Sequence, residues 1–265
     1  MMRHTDPFGT NANRVMVFGH PGHELALFGL VQRHRAPIVV LTDGGGEHRV
    51  AESRAGLTKA GQLDRVTYLG FRESSFYEAL LGHDRSVFAV VADALRDTLG
   101  PHPPEQVFCD AVEFYNPIHD ITLPIVLRAV RDWPQTRVFE VPLVYQTLDE
   151  GEQYNVQRFP SSRAAARWQY ALTDEEVALK EHARDQIYLS LRKQLGPEFL
   201  KVPRDHLAQE EVGEAASPLE PPHDTGRALR YEWRARLLRN QGAIENVITY
   251  TDHWRPMAAM LTSQL

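Results

Sequence analysis

The chain has 265 residues, 43% of them hydrophobic and 24% charged, with a net charge of −6; this suits one α/β domain with an extension, or two small domains, with ample burial for folding unaided. A single cysteine, Cys109, excludes an internal disulfide and a zinc site built on several thiolates, and the mild acidity offers no electrostatic footing for nucleic acid. No apolar run approaches the roughly 18 residues that cross a bilayer, and the first residues lack a signal-peptide core, so the expectation is a cytoplasmic protein with no membrane partner.

In chain order, "RVMVFG" (Arg14 to Gly19) is an apolar run ended by glycine and predicts a buried strand. "ELALFGLVQRHR" then spaces Leu25, Phe28 and Leu30 as a helix does, and "APIVVLTDGGG" carries a second strand, Ile38 to Leu41, into a glycine loop. A helix from about His48 to Ala60, a strand in "RVTYLGF" and a helix in "SVFAVVADALRDTLG" closed by Gly100 follow. "EQVFCD" reads as a fourth strand, "ITLPIVLRAVRDW" as a helix and "RVFEVPLVY" as a fifth strand. Buried-type strands alternating with helices indicate a mostly parallel sheet covered on both faces. Beyond it, Thr173 and Glu176 form a capping box that opens a helix running to Leu195, ahead of Gly196 and Pro197. The acidic, proline-containing stretch at about 206–227 reads as an exposed loop. The tail from Leu229 to Leu265 is amphipathic, with Trp233 and Trp254 expected to pack. The division implied is a sheet domain over 1–150 and a mostly helical extension over 151–265.

In a parallel sheet, ligands bind at the carboxyl ends of the strands. His20, His23, Asp43, Asp110 and His119 all follow strands in this reading, so residues scattered in sequence converge in space. Two histidines at i and i+3 in "HPGHE" can aim their rings at one point, and "NPIHD" supplies a third imidazole. Neutral imidazole is a common zinc ligand, and a catalytic zinc keeps one position open beside three protein ligands.

The sequence resembles the PIG-L/LmbE-type N-deacetylases, whose signatures are close to "HPDDE" after the first strand and "HPDH" after a later one. The likeness runs from about Val15 to Gln146, extends arguably to the helix from Thr173 to Leu195, and includes "LTDGG" with Asp43 and Gly44, Arg49 with Glu52, Ala60 with Gly61, and "VPLVY" at Val141 to Tyr145. It implies a Rossmann-like fold and a zinc- or other divalent-metal-dependent hydrolase that removes N-acyl groups from sugar-like molecules, the metal activating the attacking water. Residue by residue, His20 keeps a ligand role and His23 stands where the family has a ligand carboxylate. His119 is the third ligand. Gly22 stands where the family has its general base, Asn116 where it has a histidine thought to help stabilise the oxyanion, and Ile118 where it has an aspartate.

With Gly22 unable to act as a base, Asp110 and Glu113 are the first candidates, each with the alternative of orienting a ligand histidine from behind. Asn116 can donate to a developing oxyanion. Arg49 is expected to reach substrate, or else to pair with Glu52; Asp43 is expected either to contact substrate or to orient a ligand. Glu24 is expected to brace the loop, and Asp120 to support the site from behind the ligands or else only to cap the helix that starts there. Tyr231, Glu232 and His253 in the tail are read as structural, and Cys109 as a small buried hydrophobe. The expected function is amide hydrolysis on a small sugar-like or specialised metabolite. The alternative is a catalytically altered relative that binds a metal or small molecule. A nucleotide-binding reading fails because the first loop lacks G-x-G-x-x-G.

Overall fold

A computed structural model describes residues 7–9, 12–147, 153–160, 166–191, 193, 202–216, 219 and 229–263. The first five strands are β1 (Arg14–Phe18), β2 (Ile38–Thr42), β3 (Val66–Phe71), β4 (Gln106–Asp110) and β5 (Arg137–Val141). Between them run α1 (Phe28–His34), α2 (Glu47–Lys59), α3 (Glu73–Gly82), α4 (Arg85–Leu99) and α5 (Pro117–Val130). All residues of β1, β2 and β4 are buried, because helices cover both faces of the sheet. Side chains alternate across the pleat. Val15 and Val17 join one core with Val107, Phe88 and Ile121, while Met16 and Phe18 join the other with Phe108 and Leu30.

The remaining strands are β6 (Val144–Thr147), β7 (Gln153–Val156), β8 (Arg167–Ala171) and β9 (Gln209–Glu214). One sheet has the order β3-β2-β1-β4-β5-β9-β8, parallel through β5 and antiparallel at β9 and β8; β6 and β7 form a separate hairpin. The fold is thus Rossmann-like, a mostly parallel sheet between helices. A helical C-terminal part comprises α6 (Asp174–His182), α7 (Arg230–Asn240) and α8 (Arg255–Thr262). Strand order reverses between β1 and β4, and that switch point opens the crevice where open α/β sheets take ligands.

Several expected elements differ, each for a visible reason. The fifth strand is cut at Pro142, which cannot donate to a ladder, so β5 ends and β6 leaves the sheet. The segment read as a loop over 206–227 contains β9 at 209–214, and the sheet therefore crosses the expected division at residue 150. Two acidic residues of β9, Glu210 and Glu211, are buried but satisfied. Glu210 accepts the Gly29 and Leu30 amides at the start of α1 and the Lys180 ammonium at 2.8 Å. Glu211 accepts the Phe159 amide.

The helix expected from Thr173 has its capping box, but α6 ends at His182 and a π-helical turn follows over Ala183–Ile187. At Tyr188 the backbone leaves helical geometry and its hydroxyl reaches Glu24 at 2.8 Å. Gly56 allows that passage, since a Cβ there would overlap the Tyr188 ring. Leu195 lies outside the described residues. Trp254 is fully buried as expected, whereas Trp233 is 50% exposed on the outer face of α7. Among the described residues no helix is long and apolar enough to cross a membrane.

Candidate metal centre

The loop after β1 turns through Gly22 at φ +100°, a left-handed conformation that suits a residue without a side chain, and a 3-10 turn follows over His23–Leu27. Glu24 fixes this turn: one carboxylate oxygen accepts the Gly22 amide at 2.8 Å, and the other accepts the Ser53 and Tyr188 hydroxyls. Burial pushes its pKa up, against those hydrogen bonds. Glu24 thus ties the turn at Gly22 to Ser53 on α2 and to Tyr188. Arg49, on α2, donates to the Pro21 carbonyl at 2.7 Å and to that of Gly44, tying the loops after β1 and β2 together while one edge lines the cavity.

The third histidine enters from α5. That helix starts earlier than expected: Asn116 is its N-cap, accepting the Ile118 amide at 2.8 Å, and Pro117 fills the first position. His119 therefore sits in the first turn rather than in a preceding loop. The expected cap, Asp120, instead folds back to accept the Glu113 and Phe114 amides.

The structure brings His20, His23 and His119 together at the switch point. One nitrogen from each lies within 4.8 Å of the others, and all three residues are buried. The rings stand nearly perpendicular, at 75°, 74° and 78°, with centroids 4.4–5.2 Å apart. Both nitrogens of His20 and Nδ1 of His119 are buried without a hydrogen-bond partner. Burial, with the neighbouring rings, pushes His23 and His119 well below the usual imidazole range, so both are held neutral, the form that ligates. Three converging buried imidazoles, two of them with orphaned nitrogens, fit a divalent cation better than they fit a packed core.

Asp110 ends β4 and its Oδ2 lies 2.8 Å from His23 Nδ1, while accepting the Gly19 amide. That contact assigns the Nδ1 proton to His23 and leaves Nε2 for the cluster. Burial raises the Asp110 carboxyl to about 7. Glu113 is turned away: it accepts the Leu143 and Val144 amides, and burial raises its pKa far above the usual range. Neither carboxylate lines the cavity in front of the histidines, and Asp43 does not either. Asp43 accepts the Gly45 and Glu73 amides and so holds the start of α3.

The carboxylate that does face the cavity is Glu73, which the sequence reading missed. Its Oε1 is 3.1 Å from His20 Nε2, at ion-pair distance but off the direction of a ring N–H. Burial pushes Glu73 up, but His20, Arg49 and Tyr77 together outweigh it and hold the carboxyl below its ordinary value. Tyr77 donates toward Glu73 at 3.4 Å and is hydrogen bonded to the Asn116 side chain, which links the three along one wall. The signal was present: Glu73 stands two residues after "YLGF", at the same sheet edge that singled out the other candidates. A 440 Å³ cavity opens onto the cluster, with Arg49, Lys193, Arg230 and Arg234 around it.

A Rossmann-like sheet with three converging imidazoles at its switch point defines the class: an α/β protein with a site fit for a divalent cation. No family model and no curated protein matches the sequence. Among solved structures the chain is similar to the A40926 pseudoaglycone deacetylase Dbv21, with a TM-score of 0.57 and 14% identity over 78% of this chain and 100% of that one. It is also similar to the zinc-inhibited form of the teicoplanin deacetylase Orf2, with a TM-score of 0.54 and 15% identity over 76% and 97% of the two chains. A third neighbour is the deacetylase–bog complex from teicoplanin biosynthesis, at a TM-score of 0.53 and 15% identity over 76% and 96%. The chain shares the fold of these deacetylases.

Proposed function

We propose that the protein is a cytoplasmic, divalent-metal-dependent hydrolase that cleaves an N-acyl bond of a small sugar-like molecule, as a divergent relative of the PIG-L/LmbE-type deacetylases. The observation that carries this reading is the cluster of three buried imidazoles at the switch point, His20, His23 and His119, of which His20 and His119 have orphaned nitrogens, in a cavity that among the described residues is walled by one carboxylate. These three residues would hold the cation, zinc by the nature of the donor set, and when bound it supplies Lewis-acid polarisation of the acyl carbonyl and a lowered pKa for water.

The protein's own residues divide the rest of the work. Asp110 orients the His23 ring through Nδ1. Glu73 is the general base in this reading, its Oε1 taking the proton of the attacking water in place of the side chain that Gly22 lacks. The Asn116 amide, whose oxygen accepts the Ile118 N–H, lines the cavity, and in this reading its nitrogen donates to the oxygen on which negative charge develops. Tyr77, kept protonated by burial, holds Glu73 in place. Protonation of the leaving amine returns the proton from Glu73, as microscopic reversibility allows for one acid–base group.

The test is elemental analysis of the purified chain beside His23→Ala and His119→Ala, followed by a screen of N-acetylglucosamine-type amides. About one metal per chain, lost in both variants, with amine release from one of the amides, is expected. Glu73→Gln should keep the metal and lower kcat by about 10²- to 10⁴-fold, the usual weight of a general base. A chain that takes up no metal after reconstitution overturns the reading. A second reading, a metal-binding relative without hydrolytic activity, draws on Gly22; it is the outcome if metal binds and Glu73→Gln changes nothing measurable.

A further inference from the structure

Two cavities meet beside His119. The first holds the histidine cluster; the second, of 620 Å³, lies between α3, the start of α5, α7 and the segment after α7. Leu81, Ala235, Leu238, Ile244 and Ile248 give the second an apolar wall. Tyr77, Tyr115, Asn116, Arg230 and Arg234 line both, so the two chambers adjoin along these side chains. At the junction the Arg230 guanidinium lies 3.9 Å from the centroid of the Tyr115 ring, and Tyr115 in turn stacks against His119 at 6.3 Å. Among lysine, arginine and carboxylate side chains, the two linings hold Arg49, Lys193, Arg230 and Arg234 against Glu73 and Glu245.

A neutral sugar needs neither an arginine pair nor an apolar chamber. Planar guanidinium groups bind carboxylate and phosphate oxygens through paired N–H donors. Apolar walls next to them exclude water and strengthen that attraction. The volume of the second chamber is in the range that small organic ligands fill.

We infer that the substrate is an amphiphile: an anionic group, carboxylate or phosphate, seats between Arg230 and Arg234, and an apolar arm fills the chamber walled by α7, with the N-acyl bond reaching the histidine cluster. The word substrate rests on the hydrolase reading; the subsite itself needs no metal.

The subsite is therefore tested by calorimetric titration of the metal-stripped full chain with decanoate, decyl phosphate, decyl maltoside and acetate. Decanoate or decyl phosphate should bind one per chain at least tenfold tighter than decyl maltoside or acetate, and the tighter of the two identifies the anionic group. Arg234→Ala, an exposed position, should weaken the tighter ligand about tenfold. Ala235→Trp, which fills the chamber, and Leu238→Gln, which makes its wall polar, should each weaken it by a similar factor. Equal affinity for decyl maltoside, or an Arg234→Ala chain that binds as before, overturns the inference, as does indifference to both chamber variants. A chain that takes up no metal yet binds decanoate overturns the hydrolase reading alone. A metal-loaded, active chain that binds none of the amphiphiles overturns the subsite alone.

Discussion

Replacing Asp110 by Asn isolates the contact that sets the orientation of His23. The two side chains have nearly the same shape, and the amide oxygen can still accept the His23 Nδ1–H and the Gly19 N–H, each at 2.8 Å in the native site. What disappears is the negative charge that makes the far nitrogen of the ring a better donor. Substitution behind a ligand histidine commonly costs 10- to 100-fold in metal affinity, about 1.4–2.7 kcal/mol. Asp110 is fully buried, so solvent does not screen its charge and the upper half of that range is expected. Zinc affinity is measured by competition with a chelating dye, for the native chain, Asp110→Asn, His23→Ala and the double variant. Asp110 acts through His23 only if its substitution costs little further affinity once His23 is gone, which is the non-additivity a double-mutant cycle reads. Unchanged zinc affinity in Asp110→Asn, or full additivity in the cycle, refutes the orienting role.

Other consequences concern the frame around the site. Tyr188→Phe leaves Glu24 one hydroxyl short inside the protein and should cost about 1–3 kcal/mol in urea unfolding. Lys180→Met strips the buried Glu210 of its ammonium, but the Gly29 and Leu30 amides remain. The loss should therefore sit near the lower end for a broken buried pair, about 3 kcal/mol by the same assay. Burial raises Tyr68 from its ordinary 10.0 to about 12. The unfolded chain then loses that proton first as pH rises, so the stability tied to the protonated phenol is whole below pH 10 and lost on the way to about 12. Tyr68→Phe should make the fall in unfolding free energy across that window shallower.

The parallel core was legible because β1, β2 and β4 are short apolar runs ended by polar loops, and burial on both faces demands that composition. The histidine cluster was legible for a related reason: the ends of adjacent parallel strands are neighbours however far apart they lie in sequence. What sequence could not show was pairing that neutralises polar residues. Glu210 and Glu211 look like solvent-facing acids until Lys180 and three backbone amides are placed against them. Glu113 looks like a site carboxylate until the Leu143 and Val144 amides claim it. Asn116 took the capping place expected of Asp120 because the helix began at Pro117, a position where proline is well suited but where the apolar pattern had not yet started.

Under the proposed resemblance, the differences from the signature form one coherent change. Where the resemblance implies a ligand carboxylate, His23 is neutral, and the missing charge reappears on Asp110, in contact with the far nitrogen of the same ring. Where it implies a base, Gly22 is in a left-handed conformation at φ +100° that an aspartate could adopt only with strain. The proposed base moves to Glu73 on α3, which approaches the cluster from beside His20. Asp43 makes that substitution workable, because its carboxylate accepts the Glu73 amide at 3.0 Å and so fixes the first residue of α3 against the loop after β2. That contact anchors the Glu73 backbone, Tyr77 reaches toward its carboxylate at 3.4 Å, and the turn through Gly22 carries His23 in place of a carboxylate.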